Sequence, residues 1–249
     1  QGGRSRQAFN KFFTSMSSLR TLVFYATPEH PCSYLEDRLA TTMFVDPKAK
    51  IDNDLYTRLS QLGFRRSGHH YYKPRCSGCN ACIAVRIPVN KFQPSRSQSR
   101  NWKKNTDLKI NLATPEYKEE HFQIYQKYIN ERHYDGDMYP PTLDQYESFL
   151  LEARDNTMFV EMIENGNVLG VAVTDLVSDG LSAIYTYFDP CASSRALGVF
   201  AILWQIEEAK RRELPYLYLG YWIRGCNKMS YKTNYRPIEI LLRDNWIAI

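Results

Sequence analysis

Aromatic and cationic side chains alternate along residues 216–237, the stretch of this chain best equipped for chemistry. It opens with an apolar run, Tyr216–Leu219, that predicts a buried strand ended by Gly220. No Asp or Glu occurs from Leu214 to Ile238. The rings and cations that follow the strand are Tyr221, Trp222, Arg224, Lys228, Tyr231, Lys232, Tyr235 and Arg236. Rings beside cations suit a planar, anionic ligand such as a nucleic-acid end, although a core strand followed by an amphipathic helix has the same composition.

A second chemical motif consists of Cys76, Cys79 and Cys82, with two residues between successive cysteines. A tight turn with this spacing brings the sulfurs to a common point, where they can bind Zn²⁺ or an iron–sulfur cluster. Cys32 is the natural fourth ligand. Reduced, buried thiols that pack as small apolar groups are the alternative, and the sequence leaves both open.

Charge is strongly segregated beneath a mild formal net charge of +5. The chain has no acid from Leu55 to Thr106, whereas much of the balancing acid lies between residues 107 and 189. Segregation of this kind builds a positive face that attracts a polyanion. Within it, the polar segment 90–105 is either a flexible linker or an arm that contacts phosphates. The side chains available for phosphate contact and stacking are Arg96, Arg100, Trp102, Lys103 and Lys104.

Composition places the chain among globular proteins. Its apolar fraction of 43% and aromatic fraction of 14% are ample for a packed core. No apolar run is long enough to span a bilayer, and no secretory signal pattern occurs. Six cysteines in a chain of this length do not resemble a secreted disulfide framework. We therefore expect a protein of the reducing cytoplasm with no membrane partner.

Hydrophobic periodicity predicts the elements that must position these groups. The predicted strands are 19–25, 37–44, 64–72, 85–88, 157–163, 168–175, 182–188, 216–219 and 238–242. The predicted helices are 53–62, 117–132, one that starts at Thr142, 195–212 and a basic helix over 226–235. Asn165-Gly166 and Asp179-Gly180 predict hairpin turns.

The C-terminal order is three antiparallel strands, a helix, a strand, a helix and a strand, which is the layout of the GNAT acyltransferases. We therefore predict an α+β fold with two domains. A GNAT-like mixed sheet flanked by helices covers residues 106–249, and a smaller, cysteine-containing α+β domain covers residues 16–105. The GNAT fold splays two central strands and places an acyl donor between them. The segment 192–198 has a single glycine where acetyltransferases hold the coenzyme A pyrophosphate on a glycine-rich loop, so we expect a donor other than coenzyme A.

Four stretches resemble the aminoacyl-tRNA–protein transferases, which comprise eukaryotic arginyltransferases and bacterial aspartate/glutamate leucyltransferases. They are HPCSYLEDR (30–38), YYKPRCSGCNACIAVRIPVNKFQPSRSQSRNWKKN (71–105), YFDPCASSRALGVFAILWQIEEAKRRELPYLYLG (187–220) and YLGYWIRGCNKMSYKTNYRPIE (218–239). The single-cysteine HPCSYL form is similar to the leucyltransferase branch. Residues 1–15 resemble no part of the family, so we expect an artificial leader before a natural start at Met16.

The resemblance also bears on the cysteines. Eukaryotic arginyltransferases have a CxxC pair at the first site and adjacent cysteines at the second. Here Leu35 and Asn80 replace one cysteine of each pair, so only Cys32 and Cys79 match that pattern. The resemblance further implies an aminoacyl-transfer reaction that requires no cofactor.

The reaction implied is transfer of leucine from leucyl-tRNA to the α-amine of a protein that begins with Asp or Glu, which marks that protein for degradation. It is the aminolysis of an activated ester. Because an α-amine has a pKa of about 7.7–8.0, much of it is neutral near pH 7, and positioning matters more than a strong base. Tyr187, Tyr218 and Tyr221 lie at the ends of the strands expected to splay. Their hydroxyls could relay a proton or stabilise the oxyanion, or the rings could simply pack across strands.

The acidic side chain of the acceptor requires a cation. Our candidates are Arg75, Arg86, Arg224 and Lys228. We assign Lys232 and Arg236, together with Lys103 and Lys104, to tRNA phosphates. Two alternatives stay open, namely an arginyltransferase acting on the same acidic N-termini and a non-catalytic RNA-binding protein.

Overall fold

The computed structural model describes residues 19–152 and 155–249, so the expected leader and Met16 lie outside the described residues. The strands of this part are β1 (Phe24–Ala26), β2 (His30–Pro31), β3 (Leu39–Ala40), β4 (Thr42–Val45), β5 (Arg65–Ser67), β6 (His70–Pro74), β7 (Cys82–Pro88), β8 (Lys109–Ala113), β9 (Thr157–Glu164), β10 (Asn167–Val177), β11 (Gly180–Phe188), β12 (Tyr216–Ile223), β13 (Glu239–Leu242) and β14 (Asn245–Ala248). The α-helices are α1 (Asn53–Gln61), α2 (Arg96–Lys104), α3 (Glu119–Arg132), α4 (Leu143–Tyr146) and α5 (Leu197–Arg211). Helical turns of the 3₁₀ type cover Val89–Lys91, Pro190–Arg195 and Asn227–Asn234, and a π-helical turn, Glu147–Leu151, follows α4.

The central feature is an eight-stranded mixed sheet in the order β14-β13-β7-β12-β11-β10-β9-β8. Strands β9, β10 and β11 form an antiparallel meander, and β12 returns through α5 to lie parallel to β11. Asn165 and Gly166 make the first hairpin turn, with φ of 50° and 88° that match a type I′ turn. The mixed sheet, the meander and the α5 crossover confirm the predicted GNAT-like α+β fold.

Strand β7 extends this sheet in a way that local sequence patterns did not indicate. It pairs with β12 on one side and β13 on the other, both antiparallel. The predicted strand 238–242 therefore joins the sheet through β7 and does not pair with β12. The eight-stranded sheet thus draws residues from both sides of the boundary predicted at residue 105, and the division into two domains stays a prediction.

The smaller sheet, in the order β1-β4-β6-β5, belongs to the N-terminal part of the chain and packs with α1. Asp52 caps α1 by accepting a hydrogen bond from the Leu55 amide. A buried ion pair ties this unit to the main sheet: Arg66 Nε donates to Asp175 Oδ2 over 2.6 Å, and both side chains are only 1% exposed. Tyr56 Oη donates to the same carboxylate oxygen over 2.7 Å.

Two hydrophobic cores cover opposite faces of the main sheet. Tyr187 packs with residues of α3 and α4, whereas its neighbour Phe188 packs with residues of α5. Successive strand residues point to opposite faces, so α3 and α4 lie on one face and α5 lies on the other. Helix α2 packs against α5 through Trp102, whose ring centroid is 5.5 Å from that of Phe200.

Two predicted elements differ from the structure. Segment 226–235, expected as an α-helix, forms 3₁₀ turns over Asn227–Asn234, in which Lys232 is the one buried residue, so it lacks the apolar stripe that stabilises an amphipathic helix. Segment 90–105, one of whose interpretations was a flexible linker, contains α2, which begins with a capping box between Ser95 and Gln98. None of the helices in residues 19–152 and 155–249 is long and apolar enough to cross a membrane.

Candidate active site

A cleft opens where β11 and β12 diverge. The two parallel strands pair only from Gly180 to Ser182 on β11 and from Tyr216 to Tyr218 on β12. Beyond this point β11 stays with β10, whereas β12 stays with β7. Exposure changes with the pairing: residues 180–182 and 217–219 are buried, but 183–186 and 220–222 are half-buried. The strands expected to splay therefore do so, and we refer to the gap between their diverging carboxyl-terminal parts as the cleft.

Two glycines permit this geometry. A Cβ on Gly180 would lie 2.4 Å from the carbonyl oxygen of Tyr216, so the close approach of β12 requires glycine there. Gly220 has φ of 86°, a left-handed conformation that favours glycine, and the register between β12 and β7 shifts between Tyr218 and Gly220. This irregularity lies at the base of the cleft, immediately after the last residue that pairs with β11.

Two buried cations, Arg65 and Lys232, lie at the base of the cleft. Arg65 Nη2 donates to the carbonyl oxygen of Ala183 over 2.7 Å, and Lys232 Nζ donates to that of Tyr221 over 2.8 Å. A Cβ on Gly220 would lie 3.2 Å from Lys232 Nζ and 3.8 Å from Arg65 Nε, so both cationic groups lie directly beside this glycine. Each is 7% exposed, and neither forms an ion pair with a carboxylate of the described residues.

Burial, together with the positive charge of Arg65, lowers the pKa of Lys232 to about 7. A charge buried without an opposite charge loses hydration energy and gains no Coulomb energy in return. The ammonium form of Lys232 therefore becomes favourable again when an anion enters the cleft.

One wall of the cleft is aromatic and centres on Tyr185. The side chains around it are Phe149, Tyr128, Tyr125 and Tyr187, whose ring centroids lie 5.4, 6.3, 6.5 and 6.5 Å from that of Tyr185. The hydroxyl of Tyr185 is buried and has no hydrogen-bond partner within the described part of the chain. Burial raises the pKa of this hydroxyl above its ordinary value, so it stays protonated and available as a donor.

The three tyrosines expected to act in catalysis have hydroxyls that are already engaged. Tyr187 is fully buried, and its oxygen lies 3.1 Å from that of Tyr146. Tyr218 donates to Asp179 Oδ2 over 2.9 Å, and Tyr221 donates over 2.7 Å to a backbone carbonyl that follows α1. Burial raises the pKa of each hydroxyl, so each stays protonated. These contacts fit structural roles better than a role in proton transfer.

Among the expected acceptor-binding cations, Arg86 has a different role. Its Nε donates to Glu239 Oε2 over 2.7 Å, and its guanidinium carbon lies 3.6 Å from the ring centroid of Tyr216 and 4.3 Å from that of Trp246. Arg86 is 8% exposed and belongs to the part of β7 that pairs with Tyr218, below the cleft. Because its carboxylate partner is internal, Arg86 is not available to a substrate carboxylate.

The other three candidates are exposed. Arg75 lies on the surface just before the cysteine motif. Arg224 follows β12 at the mouth of the cleft, and its guanidinium carbon lies 5.9 Å from the ring centroid of Trp222. Lys228 pairs with Asp135 over 2.6 Å at the surface. Exposed cations are screened by water, so each offers only weak attraction to a carboxylate.

Most of the expected tRNA-binding residues lie along one border of the sheet edge at which the cleft opens. The exposed residues on this border are Arg96, Arg100, Lys103, Lys104 and Arg236. Gln98 donates to the carbonyl oxygen of Asn234, and Lys104 Nζ donates to that of Ser194 over 2.7 Å, so α2 joins the 227–234 segment to the residues before α5. Trp102 is half-buried against Phe200, which leaves little of its ring for stacking on a base. Lys232, expected at a phosphate, lies inside the cleft.

The four cysteines considered as metal ligands, Cys32, Cys76, Cys79 and Cys82, are half-buried and reduced. Burial and the neighbouring thiols, including Cys226, raise the pKa of Cys82 to about 11. Over the described residues, no three Cys, His, Asp or Glu side chains converge in a geometry that could hold a metal ion. The thiols are grouped near the start of β7 without forming a preassembled ligand set.

Sequence reasoning did not single out Arg65 or Tyr185. Arg65 lies in the acid-free stretch from residue 55 to 106, but Arg66 and Arg86 of the same stretch have carboxylate partners, so the stretch alone did not identify Arg65. Tyr185 is two residues before Tyr187 on the same face of β11, but nothing local distinguishes the free hydroxyl from the engaged one.

Comparison with known proteins places this geometry in a family. The family model described as "Arginine-tRNA-protein transferase, N terminus" matches residues 30–100, and the one described as "Arginine-tRNA-protein transferase, C terminus" matches residues 120–242. An aspartate/glutamate leucyltransferase of Hahella chejuensis is 71% identical over 234 residues, which is 94% of this chain and 100% of the relative. The chain belongs to the aminoacyl-tRNA–protein transferase family, in its bacterial leucyltransferase branch.

Other members of the branch are also similar over nearly their full length. The aspartate/glutamate leucyltransferase of Marinobacter nauticus is 58% identical over 93% of this chain and 98% of the relative. That of Pseudomonas fluorescens is 52% identical over 94% of this chain and 100% of the relative. Among solved structures, L-PGS from Bacillus licheniformis has a TM-score of 0.42 and 8% identity, over 80% of this chain and 68% of that chain.

Proposed function

We propose that this aminoacyltransferase moves leucine from leucyl-tRNA to the α-amine of proteins that begin with Asp or Glu, and that it does so in the cytoplasm, where charged tRNA is made. Membership of the leucyltransferase branch supports the reaction. The cleft between β11 and β12 supports the mechanism, because its aromatic wall and its cationic base suit the two unlike substrates.

The contrast between the aromatic wall and the cationic base of the cleft is the observation that carries the proposal. Aromatic rings surround Tyr185 on one wall, and none of the four side chains grouped around it is acidic. A leucyl side chain packs well against such a surface, whereas an arginyl guanidinium would lack an anionic partner there. Arg65 and Lys232, which contact β11 and β12 at the base of the cleft, suit an acidic acceptor.

The chemistry needs little from the protein beyond placement. The neutral α-amine attacks the carbonyl carbon of the leucyl ester, and a C–N bond forms as the carbonyl oxygen becomes an oxyanion. The tetrahedral intermediate then breaks the bond between carbon and the ribose oxygen, and the proton lost by the amine ends on that oxygen. The Tyr185 hydroxyl is a buried donor on this wall with no partner among the described residues, and we assign it to the developing oxyanion.

The body of the tRNA approaches along α2. Its exposed cations lie beside the residues that precede α5, at the edge where the cleft opens. Charges on this border neutralise phosphates and give binding that weakens with salt, while the charged 3′ end enters the cleft.

The test is a transfer assay with labelled Leu-tRNA and Arg-tRNA and with peptides that begin with Asp, Glu, Lys or Ala. We expect leucine to be transferred to the Asp and Glu peptides and to no other. Transfer of arginine in preference to leucine would indicate the arginyltransferase alternative. Binding of tRNA without modification of any peptide would indicate a non-catalytic RNA-binding protein.

A further inference from the structure

The pair formed by Arg65 and Lys232 is the most unusual charge arrangement in the described residues. Both side chains are buried, both lie on Gly220, and each contacts a backbone carbonyl on a different side of the cleft. Other buried cations have carboxylate partners: Arg66 pairs with Asp175, and Arg86 pairs with Glu239. The cleft therefore holds two cationic side chains for which the described residues supply no carboxylate partner.

We propose that Arg65 and Lys232 together bind the side-chain carboxylate of the acceptor's N-terminal Asp or Glu. This inference rests on the proposed function and names the residues that set its acceptor specificity. In this assignment the buried groups that bind the acceptor carboxylate are Arg65 and Lys232, and not Arg86 as the sequence analysis expected.

Both side chains have donors to spare. An ammonium group has three N–H donors, and one contact to Tyr221 is made by Lys232. A guanidinium has five N–H donors, and one contact to Ala183 is made by Arg65. A carboxylate accepts several hydrogen bonds, so one substrate anion can satisfy both cations together.

The low polarity of the site makes this recognition selective. Charge-assisted hydrogen bonds are strongest where water is excluded, and each cation here is 7% exposed. An N-terminal Asn or Gln has a similar shape but leaves both positive charges uncompensated. Exposed Arg224 and Lys228 at the mouth of the cleft can attract an acidic chain, but water screens them too well for strict discrimination.

The position of the pair also orients the reaction. In an N-terminal Asp or Glu, a short methylene chain separates the carboxylate from the α-amine. A carboxylate held at Gly220 therefore keeps the amine inside the cleft, opposite the wall formed by Tyr185. Recognition of the acidic side chain and placement of the nucleophile are then the same event.

The experiment compares Lys232→Met, Lys232→Arg and Arg65→Met with two matched controls, Lys109→Met on β8 and Arg58→Met on α1, which are exposed. The measured quantities are kcat/KM for matched peptides beginning with Asp or Asn and, separately, the Kd for Leu-tRNA. For Lys232→Met and Arg65→Met we expect kcat/KM with the Asp peptide to fall about 100-fold and the preference for Asp over Asn to disappear. Lys232→Arg and both controls keep that preference, and the Kd for Leu-tRNA is unchanged throughout.

A normal preference for Asp over Asn in Lys232→Met and Arg65→Met would overturn the inference. So would a preserved preference with weakened Leu-tRNA binding, because it would show that the cations serve the donor. Loss of transfer in Lys232→Arg, with the wild-type preference retained in Arg65→Met, would indicate a proton-transfer role for Lys232 and would also overturn it. Failure of the proposed function is distinct, since the wild-type protein would then transfer no leucine to any peptide.

Discussion

Replacing Lys232 by Met is expected to stabilise the protein while it removes selectivity for acidic acceptors. The ammonium of Lys232 is buried without a carboxylate partner in the described residues, and its pKa falls from 10.5 to about 7. At pH 7 this difference corresponds to about 4 kcal/mol of unfavourable free energy in the native state. Methionine has a similar length and no charge, so it fills the same space without that cost.

One hydrogen bond is lost in exchange. Lys232 Nζ donates to the Tyr221 carbonyl oxygen, and leaving that oxygen without a partner costs about 1–3 kcal/mol. We therefore expect Lys232→Met to increase the free energy of unfolding by about 2 kcal/mol at pH 7. The assay is urea unfolding followed by circular dichroism, with Lys109→Met as the control, for which we expect a change within about 0.5 kcal/mol.

The effect has a definite pH dependence. Between pH 7 and 10.5 the unfolded chain keeps a proton on Lys232 that the native protein has released, so the wild-type protein gains stability as pH rises through this window. The variant lacks this contribution, and its advantage shrinks by about 2 kcal/mol between pH 7 and pH 9. The groups that face Lys232 are Arg65 from β5, the Cys226 thiol and the Tyr231 ring.

The opposite sign would refute this reasoning. Removing one member of a compensated buried ion pair destabilises a protein by about 3–5 kcal/mol. If Lys232→Met lowers the free energy of unfolding by more than about 1 kcal/mol, or if its difference from wild type does not change between pH 7 and pH 9, then Lys232 is not an uncompensated buried charge.

Three further predictions concern Tyr185, Asp175 and the pH dependence of acceptor selectivity. Tyr185→Phe should lower kcat about 100-fold without changing the midpoint of urea unfolding, whereas Tyr187→Phe should leave kcat unchanged. Equal effects of the two substitutions on kcat would exclude the assignment of Tyr185 to the oxyanion. Asp175→Ala should lower the free energy of unfolding by about 3–5 kcal/mol in a urea titration, because it leaves Arg66 charged and buried. The ratio of kcat/KM for Asp peptides to kcat/KM for Asn peptides should fall as pH rises through about 7, because Lys232 of the free enzyme loses its proton. Titration of the acceptor amine affects both peptides and therefore cancels in this ratio. A ratio that does not change with pH would count against Lys232 as the carboxylate ligand.

Much of the fold follows from local signals in the sequence. Alternating apolar residues predict β9, β10 and β11, and Asn165-Gly166 predicts the turn between the first two, because a type I′ turn needs positive φ at both positions. Asp52 and Gly63 likewise mark the two ends of α1. These features depend on neighbours along the chain, so residue type and spacing are sufficient to predict them.

Long-range pairing was beyond such signals. An apolar run predicts that residues 85–88 form a strand, but not that β7 lies between β12 and β13, since partner choice depends on the packing of the whole sheet. Segment 227–234 shows the same limit, because its basic and aromatic composition fits an α-helix as well as the 3₁₀ turns that it forms.

The sequence by itself determined the family, the acyltransferase layout and a set of cations and tyrosines from which a site could be built. Only the tertiary structure decided the role of each. Arg86 and Lys232 are both cations in basic stretches, yet one meets Glu239, while the other meets a second cation at the base of a cleft. The sequence shows which side chains are charged. Whether a charged group is available to a ligand depends on the residues that surround it, and folding brings these residues together from distant segments.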